Sequence, residues 1–137
     1  MGDSLDRIDQ YLRKISYITK KLGNLPPYDE NQFYMESLLY RLHTSIDAVM
    51  DLVAMLVRDL GREVKDDYSN IDTLAELGLI NESLADELKK LNGLRNVIVH
   101  KYDKVDFGLI KESLDEILDV IFNFLEVVKN AMQKIFG

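Results

Sequence analysis

The chain contains no cysteine, which removes disulfides, zinc fingers, iron–sulfur clusters and thiol catalysis together. Histidine occurs only at His43 and His100, too few for a histidine-rich metal centre. Proline occurs only as the adjacent pair Pro26–Pro27, so one break is imposed on the backbone and the rest can be helical. The longest uncharged apolar runs, such as Leu52 to Val57, are about six residues, against the roughly 20 a spanning helix requires. The first residues are charged from Asp3 onward, with no apolar signal-peptide region, and a cytoplasmic location is the expectation. Base is also in short supply. Seventeen Lys and Arg stand against 24 Asp and Glu, a net charge of −7 that argues against non-specific coating of nucleic acid or anionic membrane.

What is present is a helical pattern. The 137 residues suit one domain, 1–137, and the 47% hydrophobic content suffices for a core. From Ser4, a candidate N-cap, to Leu22, apolar residues at Leu5, Ile8, Leu12, Ile15, Ile18 and Leu22 recur at steps of three and four. Gly23, Asn24 and the proline pair end that segment. A second segment, from about Asp29 to Leu60, carries the row Met35, Leu38, Leu42, Ile46, Val49, Val53, Leu56 and Leu60. Some 30 helical residues reach about 45 Å, longer than a small bundle needs, so part of this helix is expected to contact a second molecule. Arg62 to Ile71 reads as a charged loop, followed by a short helical turn over Asp72 to Leu77. Asn81 then caps a helix bearing Leu84, Leu88, Leu91, Leu94 and Ile98. The last helix begins near Asp106, with Phe122, Phe124 and Phe136 expected to divide between core and dimer surface. No segment of any length alternates strictly between apolar and polar. The fold class is therefore all-α, an antiparallel bundle of four or five helices with a long second helix.

A bundle does not account for the stretch Gly93-Leu94-Arg95-Asn96-Val97-Ile98-Val99-His100-Lys101-Tyr102-Asp103. It gathers a guanidinium, an amide, an imidazole and a phenol within eight residues. Lys89 to Lys104 holds five bases and one acid, a net +4, whereas the remainder holds 12 bases and 23 acids, a net −11. The positive patch is local and stands against an acidic body. In a regular helix Arg95 and Tyr102, seven apart, share a face, but His100 lies about 140° around the axis from Arg95. The two converge if the helix frays near His100 or if a second copy brings its own motif alongside. Other polar residues invite plainer readings. His43 lies beside the apolar row of the second helix and reads as structural. Asp47 and Asp51, four apart on one face, read as solvated rather than as a cation site, because no third ligand has suitable spacing.

Arg95-x4-His100-x-Tyr102 with Asn96 after the arginine closely resembles the signature of HEPN-domain proteins of the HepT toxin type. The flanking Leu77 to Ile80 run and the helical context extend the resemblance over essentially the whole chain. The resemblance implies an all-α homodimer that pairs two motifs across a cleft and cuts RNA without a metal or other cofactor. It also implies a partner nucleotidyltransferase of the MNT type as antitoxin, which can transfer AMP to the motif tyrosine, here Tyr102. The chemistry is compatible. RNA supplies its own 2′-OH nucleophile, imidazole can act as acid or base, and a guanidinium can hold phosphate and stabilise developing charge. Arg95 and His100 are the candidate catalytic residues, with Asn96, Lys101 and Tyr102 as supporting RNA contacts. A catalytically silent module that binds a nucleotide or the nucleotidyltransferase stays open as an alternative, as does a purely structural helical protein.

Overall fold

The computed structural model describes residues 2–137. It contains five α-helices: α1 (Gly2–Leu22), α2 (Gln32–Asp59), α3 (Asp67–Glu76), α4 (Glu82–His100) and α5 (Phe107–Phe136), with a single 3-10 turn over Tyr102–Lys104. There is no strand among the described residues, as the missing alternation predicts. Among the described residues no helix is long and apolar enough to cross a membrane.

Capping chemistry sets most of the boundaries. Asn31, Asp66, Asn81 and Asp106 each accept a backbone N–H of the following first turn, and so satisfy donors that have no partner within the helix. Gly61 and Gly78 take positive φ of 79° and 75° directly after α2 and α3. In that conformation Arg62 and Leu79 donate their N–H back to Val57 and Leu74, a turn that favours glycine.

Three expected boundaries need correction. Ser4 is not an N-cap, because α1 already runs from Gly2. The second helix begins at Gln32, since Asn31, not Asp29, supplies the capping oxygen. Half of the predicted 62–71 loop is α3, which starts at Asp67 because Asp66 accepts from both the backbone N–H and the hydroxyl of Ser69.

α2 is the central element and packs on each of the other four α-helices. Leu42, Ile46, Val49, Val53 and Leu56, all in its predicted apolar row, are fully buried. α1 lies antiparallel to α2: Arg7 pairs with Asp59, Lys14 with Asp51, and Lys21 offers its carbonyl to Arg41. The apolar face of α1 differs from expectation. Leu5 and Leu12 are exposed, and Tyr11 is buried instead. The phenol explains the exchange, because Tyr11 Oη donates to Asp59 Oδ2 at 2.6 Å while its ring packs on Phe136. Phe124 is fully buried, Phe122 packs partly buried against the core, and Phe136 closes over Arg7 and Tyr11.

Candidate functional site

α4 stays helical to His100, its last residue, and Lys101 closes it by donating its N–H to Val97 O at 2.9 Å. The helix does not fray, so Arg95 and His100 keep their angular offset of about 140°. Each finds different surroundings. The Arg95 side chain turns toward α2, where Nε donates to Asp47 Oδ1 at 2.5 Å, and one terminal nitrogen donates to Asn96 Oδ1 at 3.0 Å. Two of the five guanidinium N–H groups are thereby used and three remain for a ligand. The side chain is about one-quarter exposed, enough to be reached and little enough to be held.

His100 is exposed. It shares a shallow cleft of about 320 Å³ with Asn96, Val97 and Lys101. Asn96 therefore connects the two halves of the motif: its carbonyl oxygen holds Arg95, and its side chain also borders the His100 cleft. Tyr102 lies apart. It is half exposed on the 3-10 turn and borders a different cavity with Tyr28, Phe107 and Lys111. Of the five sequence candidates, Arg95 and Asn96 are in contact, Asn96, His100 and Lys101 share one cleft, and Tyr102 opens onto another face.

The structure adds two residues that local reading did not place. Asp47, expected to be a solvated acid, is the ion-pair partner of Arg95. Its only signal in the sequence is a carboxylate on the polar face of α2, 48 positions away from the arginine it meets. Asp67, the first residue of α3, joins the same neighbourhood. Desolvation pushes its carboxyl up, the Arg95 charge opposes that, and the carboxylates of Asp51, Asp47 and Asp66 push it further up. The guanidinium is thus fixed by Asp47, with Asp67 nearby, and both carboxylates also compete with any incoming phosphate. Asp51 is tied to Lys14 at 2.7 Å. Among the described residues no three His, Asp or Glu side chains gather in a metal-ligand arrangement. His43 is half-buried and stands edge-on to Tyr40, with ring centroids 5.5 Å apart.

Four helices around a central α2, with a held guanidinium and an exposed imidazole five residues apart at the end of α4, define a helical domain of the HEPN type. The chain belongs to the ribonuclease HepT-like family, whose model matches residues 8–128. It is 44% identical to a candidate RNase of Archaeoglobus fulgidus over 94% of this chain and 98% of that one. It is 24% identical to the mRNA nuclease HepT of Shewanella oneidensis, over 91% and 95% of the two chains. Among solved structures, the tri-AMPylated HEPN toxin of Shewanella oneidensis in complex with an MNT antitoxin superposes with a TM-score of 0.69. That match has 25% identity and covers 93% of this chain and 96% of the toxin.

Proposed function

We propose that this protein is the toxin of a HEPN/MNT pair, a metal-independent endoribonuclease that works as a homodimer. The observation that carries the reading is Arg95, held by Asp47 and Asn96 with three N–H groups left to donate, next to a cleft that exposes His100. A bound phosphodiester accepts from Arg95, which also stabilises the extra negative charge of the five-coordinate transition state. One imidazole removes the 2′-OH proton, the 2′-oxygen attacks phosphorus, and the P–O5′ bond breaks. A second imidazole returns a proton to the leaving 5′-oxygen, and the products end in a 2′,3′-cyclic phosphate and a 5′-OH. The straight end of α4 supports the dimer. One copy offers a single imidazole pointing away from its own arginine, and a second copy supplies the other. The groove between α4 and α5, about 540 Å³ and bordered by Leu91, Leu94, Val97, Leu109 and Ile110, offers apolar surface for that contact. Lys101 adds charge for the strand.

Tyr102 is the modification site in this reading. Its exposed phenol can attack the α-phosphate of ATP held by an MNT-type nucleotidyltransferase, with pyrophosphate leaving. The added AMP puts bulk and negative charge two residues beyond His100, on the neighbouring face, and so opposes a phosphate backbone that reaches the cleft from that side. The test is RNA incubated in EDTA with the wild type, Arg95→Ala and His100→Ala, after a mass measurement has established that Tyr102 is unmodified. Cleavage by the wild type to 2′,3′-cyclic ends, lost in both variants, is expected. If unmodified wild type leaves RNA intact, the protein is instead a silent module that binds the nucleotidyltransferase or a nucleotide.

A further inference from the structure

The motif on α4 is not the only basic part of the chain. Residues 10–24 contain Arg13, Lys14, Lys20 and Lys21 and no acid. This second positive segment, in α1, lies against the same polar face of α2 that holds Arg95. On that face Tyr40, Thr44 and Asp47 follow one another at helical spacing, and the seven steps from Tyr40 to Asp47 span about 10 Å. Lys21 Nζ sits 5.4 Å from the ring centre of Tyr17 and 5.1 Å from that of Tyr40, and so bridges two aromatic faces. Both rings are open to solvent, Tyr17 at 39% and Tyr40 at 55%. His43 braces Tyr40 from the side. Beside this platform a cleft of about 640 Å³ starts at Tyr17 and Thr44 and continues past Asp47 to Asp51 and Met55, with Arg13 and Lys14 on its α1 side. The two acids on its wall are already matched, Asp47 by Arg95 and Asp51 by Lys14, whereas Lys20 and Lys21 have no carboxylate partner among the described residues.

We infer that the α1–α2 groove is a single-strand RNA subsite, in which a nucleotide flanking the scissile phosphate stacks on Tyr40 and its backbone runs past Lys21. Exposed aromatic rings interleaved with cations are what single-stranded nucleic acid uses: each base has a face to stack and each linkage a charge to neutralise. The spacing agrees. About 10 Å from Asp47 to Tyr40 is one to two nucleotides of extended strand. A folded acidic protein matches this groove less well, because rings this exposed and interleaved with a cation suit a planar base better than a side-chain surface. The proposal rests on the ribonuclease reading for the identity of the strand that enters.

The test separates binding from cleavage. A fluorescein-labelled 12-nucleotide oligouridylate with 2′-O-methyl riboses lacks the attacking hydroxyl and reports binding alone, by anisotropy. Tyr40→Ala should weaken it about tenfold, the loss of one stacked base, and Tyr40→Trp should restore it. Lys21→Ala should weaken it and flatten the slope of log affinity against log salt by about 0.7, one phosphate contact of a single strand. Phe33→Ala, on an exposed ring in the first turn of α2, is the control and should bind as the wild type does. Wild-type affinity in both Tyr40→Ala and Lys21→Ala overturns the subsite. So does loss of nucleotidyltransferase binding in these variants with RNA binding intact, which makes the groove a protein-docking face. If native RNA is bound through Tyr40 and never cut, the ribonuclease reading falls and the subsite stands. If RNA is cut while both variants bind normally, the reverse holds.

Discussion

At Arg95 one contact has two opposed effects. Asp47 fixes the guanidinium, and its charge also competes with phosphate. The two effects separate by substitution. Asp47→Asn keeps an acceptor at Nε but removes the charge, so RNA should bind about threefold more tightly at low salt, with kcat retained. Asp47→Ala removes the acceptor as well, and the freed guanidinium should lower kcat about tenfold through misplacement. Steady-state cleavage kinetics on both variants check the pair. Neither should change stability by more than about 1 kcal/mol, because the ion pair is partly solvated. Local sequence could not show this contact. Two aspartates four apart on a polar helix face look like ordinary solvated surface, and the arginine that fixes one of them is a tertiary neighbour. By contrast, Arg95, Asn96 and His100 were legible because they crowd into six consecutive positions at a helix end.

The helices themselves were legible wherever apolar residues kept the three-four period, as in α2, α4 and α5. α3 was half missed because Asp66 to Asn70 offers no apolar row. Its start depends on the Asp66 cap and on Asn70, which is buried and exchanges two hydrogen bonds with the backbone of Lys65. Tyr11 was missed for a related reason: spacing alone cannot tell it from Leu12, and its partner Asp59 lies on another helix. That partner makes Asp59 a latch between α1 and α2. Burial pushes its carboxyl up, but hydrogen bonds from Arg58, Tyr11 and Arg7 outweigh burial and hold it below the usual carboxylate range. A depressed carboxyl stabilises the fold above the unfolded value near 4 and loses that contribution as pH falls through the folded value. Asp59→Asn should therefore cost about 2 kcal/mol at neutral pH. The gap to wild type should narrow on acidification below about pH 4, read by urea titration across pH. Within α4, a Cβ on Gly93 would meet nothing nearer than Tyr68 Oη at 3.9 Å. Gly93→Ala should therefore stabilise the isolated fold by about 1 kcal/mol in a thermal melt. A loss of self-association in that variant would place the glycine in the contact between copies.

For the whole molecule, the relevant balance is between an acidic exterior and a few basic places. The net −7 disfavours indiscriminate binding along nucleic acid, and the two basic segments belong to α1 and α4, helices that both pack on α2. The proposed dimer is the other property at this scale. Leu109 stands 58% exposed at the rim of the α4–α5 groove. Leu109→Glu leaves the core untouched, so its circular dichroism should match wild type. Sedimentation should show a monomer, and cleavage should fall with assembly. A variant that remains dimeric and active would move the contact between copies to another face.

Between α1 and α2 the chain passes through Pro26–Pro27, whose two rings hold their φ angles fixed. The turn is fastened on both sides: Tyr34 Oη donates to Pro26 O at 3.2 Å, and Arg41 donates to Lys21 O at 3.0 Å. At the far end the Asp59 latch holds the same two helices. A groove pinned at both ends keeps its width whether or not it is occupied. A ligand entering it meets a preset gap and loses little of its binding free energy to ordering protein segments. The association should then be fast, close to rigid-body encounter, and governed by salt rather than by a slow conformational step.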